Sequence, residues 1–271
     1  MSGIVKAIVL TGNGTNCEME TAHACKLAGA DHVDIVHCSE IIYGDKCLDD
    51  YNFLNFPGGF LDGDDLGSAK ACAHRFRYAK IHNTNELFFH QLIKFIQDGK
   101  LVMGVCNGFQ LMVKLGLLPF IEETTKQTTT LTFNEKNRFE DRWVYLNANP
   151  KSPCIFTKGI DTSFLPIRHG EGKFVTSEKI LKQIEENNLI ALRYATPDGK
   201  TTEKYPYNPN GSMNSIAGIC DPSGRLFGLM PHPEAYTHYT NHPFWNNLSL
   251  PEEGQGIIFF RNAVQFIKDN F

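Results

Sequence analysis

The amino-acid sequence predicts an α/β fold: a mostly parallel, doubly wound (flavodoxin-like) sheet with helices on both faces and a smaller antiparallel ribbon. The first indication is the near-continuous apolar run at residues 4–10, which is typical of a strand covered on both faces. The second is the alternation of such runs with helical patterns, which favours parallel strands joined by crossover helices. Ligands bind such sheets at the carboxyl edge, so the residues that follow each strand are candidates for a site.

The elements follow in order along the chain. Strands are predicted at residues 4–10, 33–37, 51–56, 101–105 and 226–230. Helices are predicted at residues 17–28, 65–79, 86–98 and 252–268, and a further helix begins just after residue 106. Residues 128–175 form short apolar runs without long helical patterns, which predicts the antiparallel ribbon. Since no repeat or linker interrupts the pattern, we expect a single domain over residues 1–271.

Composition excludes several classes of protein. The chain has 271 residues, of which 42% are hydrophobic, and a formal net charge of −4, which disfavours nucleic acid as a partner. No apolar run approaches the roughly 20 residues of a membrane span, and residues 1–30 lack a signal-peptide pattern. The eight cysteines form no Cys-x-x-Cys pair, so we expect a cytoplasmic chain without a metal site.

The most informative motif is Gly-Val-Cys-Asn-Gly at residues 104–108, directly after an apolar strand. A cysteine between glycines at a strand-to-helix turn is the cysteine form of the nucleophile elbow. The tight turn leaves no room for neighbouring Cβ atoms, and the helix N-terminus favours a thiolate. Cys106 is therefore the predicted nucleophile. The alternative is a buried cysteine in an ordinary turn.

A base for this nucleophile is predicted in Pro-His-Pro-Glu at residues 231–234, just past a strand. His232 and Glu234 are two positions apart, so their side chains project to the same side of an extended segment. Glu234 is then placed to orient His232, as nucleophilic catalysis requires. The alternative is a histidine that only packs within a proline-rich turn.

The turn Pro-Gly-Gly at residues 57–59 follows another predicted strand. We expect Gly58 and Gly59 to supply one N–H group of an oxyanion hole and the backbone of Asn107 to supply the other. An ordinary Pro-Gly turn is the alternative for this segment taken alone.

Five segments together resemble one family. They lie at residues 12–18, 57–64, 104–110, 168–174 and 231–234, and resemble triad (class I) glutamine amidotransferases, specifically the glutaminase components of phosphoribosylformylglycinamidine synthases. The resemblance implies hydrolysis of L-glutamine to glutamate and ammonia through a thioester on Cys106. It also implies transfer of the ammonia to a synthetase that converts formylglycinamide ribonucleotide to formylglycinamidine ribonucleotide in de novo purine biosynthesis. ATP and Mg²⁺ would bind that synthetase, and this chain would hold no cofactor.

The resemblance also implies roles for further residues. Gln110 and Arg142 are expected near the glutamine pocket, whereas Asn16, Arg168, His169 and Glu171 are expected at the partner interface near the ammonia exit. For Asn16 the alternative is a cap of the following helix, and for the others it is a solvated face or turn. The segment at residues 194–222 is longer than the short bacterial subunit needs and resembles the large fused synthase. We therefore expect a large-form synthetase as partner, with or without a small third subunit. The chain is then either a free-standing subunit or a domain excised from a fused synthase, and the start at Met1 favours the first.

Two other functions remain open from the residues. One is a γ-glutamyl hydrolase or cysteine peptidase on the same kind of sheet, although a γ-glutamyl hydrolase should lack His-Gly-Glu-Gly at residues 169–172. The other is a non-catalytic regulatory module, which usually loses a member of the triad.

Overall fold

The computed structural model describes residues 3–121 and 125–271. Within them lie eleven strands and seven α-helices. The strands are β1 Lys6–Thr11, β2 His32–His37, β3 Phe53–Phe56, β4 Leu101–Val105, β5 Thr129–Thr132, β6 Glu140–Ala148, β7 Thr162–His169, β8 Lys173–Thr176, β9 Ile190–Ala195, β10 Ile216–Cys220 and β11 Leu226–Leu229. The helices are α1 Glu18–Leu27, α2 Cys38–Tyr43, α3 Lys70–Tyr78, α4 Phe88–Gln97, α5 Asn107–Lys114, α6 Glu178–Glu186 and α7 Ile257–Asn270.

Nine strands form one sheet in the order β2-β1-β3-β4-β11-β10-β9-β6-β7. The five strands from β2 to β11 are parallel, and the remaining four continue the sheet in antiparallel fashion. Strands β5 and β8 form a separate antiparallel pair. The predicted α/β class, with a large sheet and a small antiparallel one, is confirmed. Strands β6 and β7, however, extend the main sheet and do not belong to a separate ribbon.

The apolar runs that predicted the strands form the core. Every residue of β3 and β4 is buried, as expected for strands with helices on both faces. Among the residues that the structure describes, the largest fully buried side chains are those of Tyr194 and eleven phenylalanines. Burial of such rings is the main favourable term in the folding of the domain.

Helix α3 begins later than the sequence predicts. The expected helix covers residues 65–79, but α3 starts at Lys70 because Gly67 and Ala69 have φ angles of +98° and +59°. The N–H of Ser68 donates to the Glu171 carboxylate, at 3.2 and 3.3 Å from its two oxygens. A long-range contact therefore replaces the first helical turn.

The topology brings four chain segments to one edge of the sheet. Strands β1, β3, β4 and β11 are consecutive neighbours and run in parallel, so the segments that follow them share the carboxyl edge. These segments are residues 12–17, 57–60, 106–108 and 230–234. Among the helices of the described residues, none has the length and apolar character needed to cross a membrane.

Candidate active site

Cys106 occupies a strained turn between β4 and α5, with φ 51° and ψ −103°. Its N–H donates to the carbonyl of Leu229 at 2.8 Å, which ties the turn to β11. A Cβ at Gly108 would lie 1.9 Å from the Phe56 carbonyl oxygen, and one at Gly104 would lie 2.6 Å from the Met112 sulfur. Both positions therefore require glycine, and their close packing holds the cysteine in an unfavourable conformation at a helix N-terminus.

His232 and Glu234 form a buried pair beside the cysteine. The Nδ1 atom of His232 lies 2.6 Å from Oε1 of Glu234, and each residue is 2% exposed. The backbone N–H of His232 donates to the Pro166 carbonyl at 2.8 Å, which fixes the segment against β7. Burial alone would lower the pKa of His232, but the Glu234 carboxylate and the Cys106 thiol outweigh it and hold that pKa well above its ordinary value.

The oxyanion hole predicted at Gly58, Gly59 and Asn107 lies on the same edge. Gly59 has φ +139°, and a Cβ there would lie 2.8 Å from the backbone of the 12–17 loop. Within residues 3–121 and 125–271, the N–H groups of Gly59 and Asn107 donate to no acceptor of the chain. Two unpaired donors beside the cysteine are the arrangement that a developing oxyanion needs.

The side chain of Asn107 joins the two halves of this hole. Its Oδ1 accepts from the N–H of Leu61 at 3.0 Å, and its Nδ2 donates to Oε1 of Gln110 at 3.0 Å. Gln110 in turn donates to the Glu171 carbonyl at 2.5 Å. Asn107 thus holds the segment after the Pro-Gly-Gly turn against the elbow helix, a role that sequence reasoning missed.

Two cavities adjoin Cys106. The first, of about 300 Å³, is lined by Cys106 and His232 together with Asn16, Cys17 and Arg168. The second, of about 140 Å³, is lined by Cys106 together with Gln110 and the segment at residues 168–171. Phe60 and Phe139, both exposed, line both cavities.

Acidic side chains form one wall of the second cavity. Asp64 and Glu171 both line it, and Ser68 donates to each of them. Burial has the largest effect and raises the pKa of Asp64. The hydrogen bond from Ser68 lowers this pKa, and the Glu171 charge raises it. Oδ1 of Asp64 is buried without a hydrogen-bond partner among the described residues. This wall suits a cationic group of a ligand.

The side chains of His169 and Glu171 face inward. His169 is 3% exposed, and burial together with the nearby His232 lowers its pKa to about 3. Asn134 contacts its ring at Nδ1, 3.1 Å away, while Nε2 has no partner in the described part of the chain. Both side chains therefore form part of the wall of the second cavity. A partner interface at Asn16, Arg168, His169 and Glu171 stays a prediction; of these, Asn16 and Arg168 line the first cavity.

Arg142 lies away from both cavities. On strand β6 it pairs with Glu140 and donates to the hydroxyl of Tyr205 at 2.7 Å. Tyr205 belongs to the long 194–222 segment, so Arg142 anchors that segment to the sheet. Its predicted place near the glutamine pocket has no support from these contacts.

Sequence reasoning also missed Cys17, which it did not assign to the site. The sulfur of Cys17 lies 3.9 Å from Nδ1 of His232 and donates to the Asn16 side chain at 3.1 Å. Its position after β1 was the available signal, because β1 pairs directly with β3 and ends at the same edge.

Comparison with known proteins places this chain in a family. The family model described as CobB/CobQ-like glutamine amidotransferase domain matches residues 4–267. The chain is 42% identical over 264 residues to phosphoribosylformylglycinamidine synthase subunit PurQ of Dehalococcoides mccartyi, covering 97% of this chain and 98% of the relative. It is also 42% identical over 275 residues to the subunit of the same name from Methanococcus maripaludis, covering 97% of each. The solved structure of PurLQS from Thermotoga maritima matches with a TM-score of 0.70 and 27% identity, covering 99% of this chain and all of that one.

Proposed function

The chain belongs to the CobB/CobQ-like glutamine amidotransferase domain family, and we propose that it is the glutaminase component of a phosphoribosylformylglycinamidine synthase. The observation that carries the proposal is the meeting of three groups at one sheet edge: the Cys106 thiol, the His232–Glu234 pair and two N–H groups that have no acceptor in the described part of the chain. These are the parts that hydrolysis of an amide through a thioester requires. Relatives over nearly the full length carry the name of that synthase.

The reaction begins with glutamine bound against Cys106. The thiolate attacks the carboxamide carbon, and the N–H groups of Gly59 and Asn107 hold the oxygen as it becomes negative. His232 gives its proton to the nitrogen as the C–N bond breaks, so ammonia leaves and a γ-glutamyl thioester remains on Cys106. Water then loses a proton to His232 and attacks the thioester, releasing glutamate. Glu234 holds the imidazole in the required tautomer and stabilises its cationic form.

Glutamine orientation follows from the charge of the second cavity. The α-ammonium group of the substrate suits the wall formed by Asp64 and Glu171, while the guanidinium of Arg168 lines the same space and suits the α-carboxylate. Gln110 is held by Asn107 and Glu171, so it shapes the pocket between these groups.

The ammonia would pass to a synthetase subunit that forms formylglycinamidine ribonucleotide in purine biosynthesis. The solved PurLQS structure supports such a partner, because its name includes L and S components in addition to Q. In this proposal ATP and Mg²⁺ bind the synthetase, which is of the large form, and a small third subunit completes the assembly where one is present. A cytoplasmic location accompanies it, in keeping with eight free cysteines.

The test is glutamate release from L-glutamine, measured for the chain alone and with the synthetase, formylglycinamide ribonucleotide and ATP. We expect activity to rise strongly when the loaded partner is present, because ammonia released without a partner is lost to water. Cys106→Ala should abolish it in both conditions. Cys47→Ala is the matched control, since Cys47 is half-buried and precedes β3 at the opposite edge of the sheet.

Two results would overturn the assignment. Retained glutaminase activity in Cys106→Ala would show that the nucleophile lies elsewhere. Equal activity with and without the loaded synthetase would show that the chain is an independent hydrolase and not a component of this synthase.

A further inference from the structure

We propose that Cys17, His232 and Glu234 form a site for a soft divalent cation, with Zn²⁺ as its representative, and that the cation inhibits the enzyme by occupying His232. The metal-binding part stands on geometry alone, whereas the inhibition rests on the proposed glutaminase function. Cys17 has no part in the proposed reaction, yet its sulfur faces the nitrogen through which Glu234 orients the base.

The three ligand atoms already lie close together. One atom each from the thiol, the imidazole and the carboxylate fit within 4.8 Å of one another, and all three residues are buried. Tetrahedral zinc with ordinary bond lengths separates sulfur from nitrogen by about 3.6 Å and nitrogen from oxygen by about 3.4 Å. The distances here are 3.9 Å for sulfur to Nδ1 and 2.6 Å for Nδ1 to Oε1. Small side-chain rotations would therefore complete the geometry.

A second observation points to a cation. Oε2 of Glu234 is buried and has no hydrogen-bond partner among the residues that the structure describes. The residue is 2% exposed, so water does not solvate this carboxylate oxygen. A buried carboxylate oxygen without a donor is costly, and a bound cation would satisfy it.

The surroundings hold the thiol in place and give it access to ions. A Cβ at Gly58 would lie 2.7 Å from the His232 ring and 3.2 Å from the Cys17 sulfur, so only glycine leaves space for both. The 300 Å³ cavity reaches Cys17 and His232, which gives a cation an entry path and room for a fourth ligand from water or Cys106. Arg168 lines the same cavity and opposes a cation, so we expect reversible binding and not a permanent structural metal.

Binding would remove the catalytic base. Zinc takes the thiolate of Cys17 and the unprotonated Nδ1 of His232, and the displaced protons pass to solvent. The Nδ1–H bond to Glu234 is then lost, and the imidazole can no longer receive the proton that the reaction transfers. Cys17 thus determines sensitivity to metal without touching the substrate carbon.

The first experiment measures Zn²⁺ binding to the full chain by competition with a chromophoric chelator. We expect one tight equivalent for wild type and for Cys47→Ala, and an affinity at least about tenfold weaker for Cys17→Ala and Cys17→Ser. With Co²⁺ in place of zinc, a thiolate-to-cobalt charge-transfer band should appear in wild type and persist in Cys106→Ala but vanish in Cys17→Ser. Far-UV circular dichroism confirms folding, and the serine variant serves if the alanine variant does not fold.

The second experiment measures inhibition of glutamate release by Zn²⁺, each variant being compared with its own zinc-free rate. The inhibition constant should rise at least about tenfold in Cys17→Ser and stay unchanged in Cys47→Ala. Unchanged zinc affinity in Cys17→Ser, or a cobalt band that depends on Cys106 instead, would overturn the proposal. If no variant releases glutamate but the binding and spectral results hold, the metal site stands and the proposed function fails.

Discussion

Replacing His169 with glutamine should make the stability of the protein less sensitive to acid. Burial has the largest effect on the pKa of His169, and the positive charge of His232 has the second largest. Together they lower this pKa from 6.5 to about 3. In the unfolded chain, His169 therefore binds a proton near the ordinary histidine pKa, whereas in the folded chain it stays neutral until the pH is much lower. The stability that this neutral histidine contributes is complete above pH 6.5 and is lost as the pH falls from 6.5 toward 3.

The structure shows why His169 stays neutral in the folded state. Oδ1 of Asn134 accepts the N–H of Gly172 at 2.9 Å, which identifies it as the oxygen, so Nδ1 of His169 must donate to it at 3.1 Å. Protonation would add an N–H at Nε2, where the described residues offer no acceptor. The difference between 6.5 and about 3 sets an upper limit of about 5 kcal/mol, and about 2 kcal/mol should be lost between pH 6.5 and about pH 5.

The assay is urea unfolding of wild type and His169→Gln at a series of pH values from neutral to mildly acidic. The variant is expected to carry a constant destabilisation, but its free energy of unfolding should fall less steeply with acid. His23→Gln, which removes an exposed imidazole from α1, is the matched control and should follow wild type. Parallel curves for wild type and His169→Gln would refute the assignment of a buried neutral histidine.

Three further predictions concern the elbow, the base and the pocket. Gly108→Ala should lower the free energy of unfolding by at least about 3 kcal/mol in urea titrations, because the new Cβ meets the Phe56 carbonyl at 1.9 Å. Gly170→Ala, whose Cβ has its nearest neighbour at 3.8 Å, should change it by less than about 1 kcal/mol, and equal losses would contradict the packing argument. Glu234→Gln should lower kcat for glutamate release by about 10²–10⁴-fold because the imidazole loses its orienting carboxylate; an unchanged kcat would remove Glu234 from the triad. Arg142→Ala should leave the KM for glutamine unchanged, because this side chain contacts Glu140 and Tyr205, and a several-fold rise would return it to the pocket.

Much of the fold could be predicted because its signals are local. Strand β4 occupies the predicted residues 101–105, and α1 and α4 lie within one or two residues of their predicted bounds. Apolar runs covered on both faces and glycines at helix ends produce such signals without reference to the rest of the chain.

Several of the missed elements lack strong local signals. Strand β9 contains Arg193 within its apolar run, and β10 has Gly218 at its centre, so neither shows an uninterrupted strand pattern. Helix α2 is six residues long and is capped by His37, whose ring accepts from the N–H of Ser39 at 3.2 Å. Histidine is an uncommon helix cap compared with serine or aspartate, so the sequence did not indicate a helix start there.

The residues of the candidate site likewise fall into those with a local sequence signal and those without one. The elbow and the His-Pro-Glu segment are recognisable because each encodes its geometry within a few residues, and the parallel topology then brings them together. The contacts of Asn107 with Leu61 and of Cys17 with His232 span 46 and 215 positions, so no local pattern could reveal them. Segments that follow neighbouring parallel strands meet at the same edge of the sheet, which is what brings Cys106 to His232. The same reasoning applies to Cys17, because β1, β3, β4 and β11 are consecutive parallel strands. A reactive side chain that follows one of these strands within a few residues can therefore reach the base, whether or not the reaction uses it. The second cysteine beside His232 is therefore a consequence of the topology that builds the triad, and its effect on the enzyme depends on which ions reach the cavity.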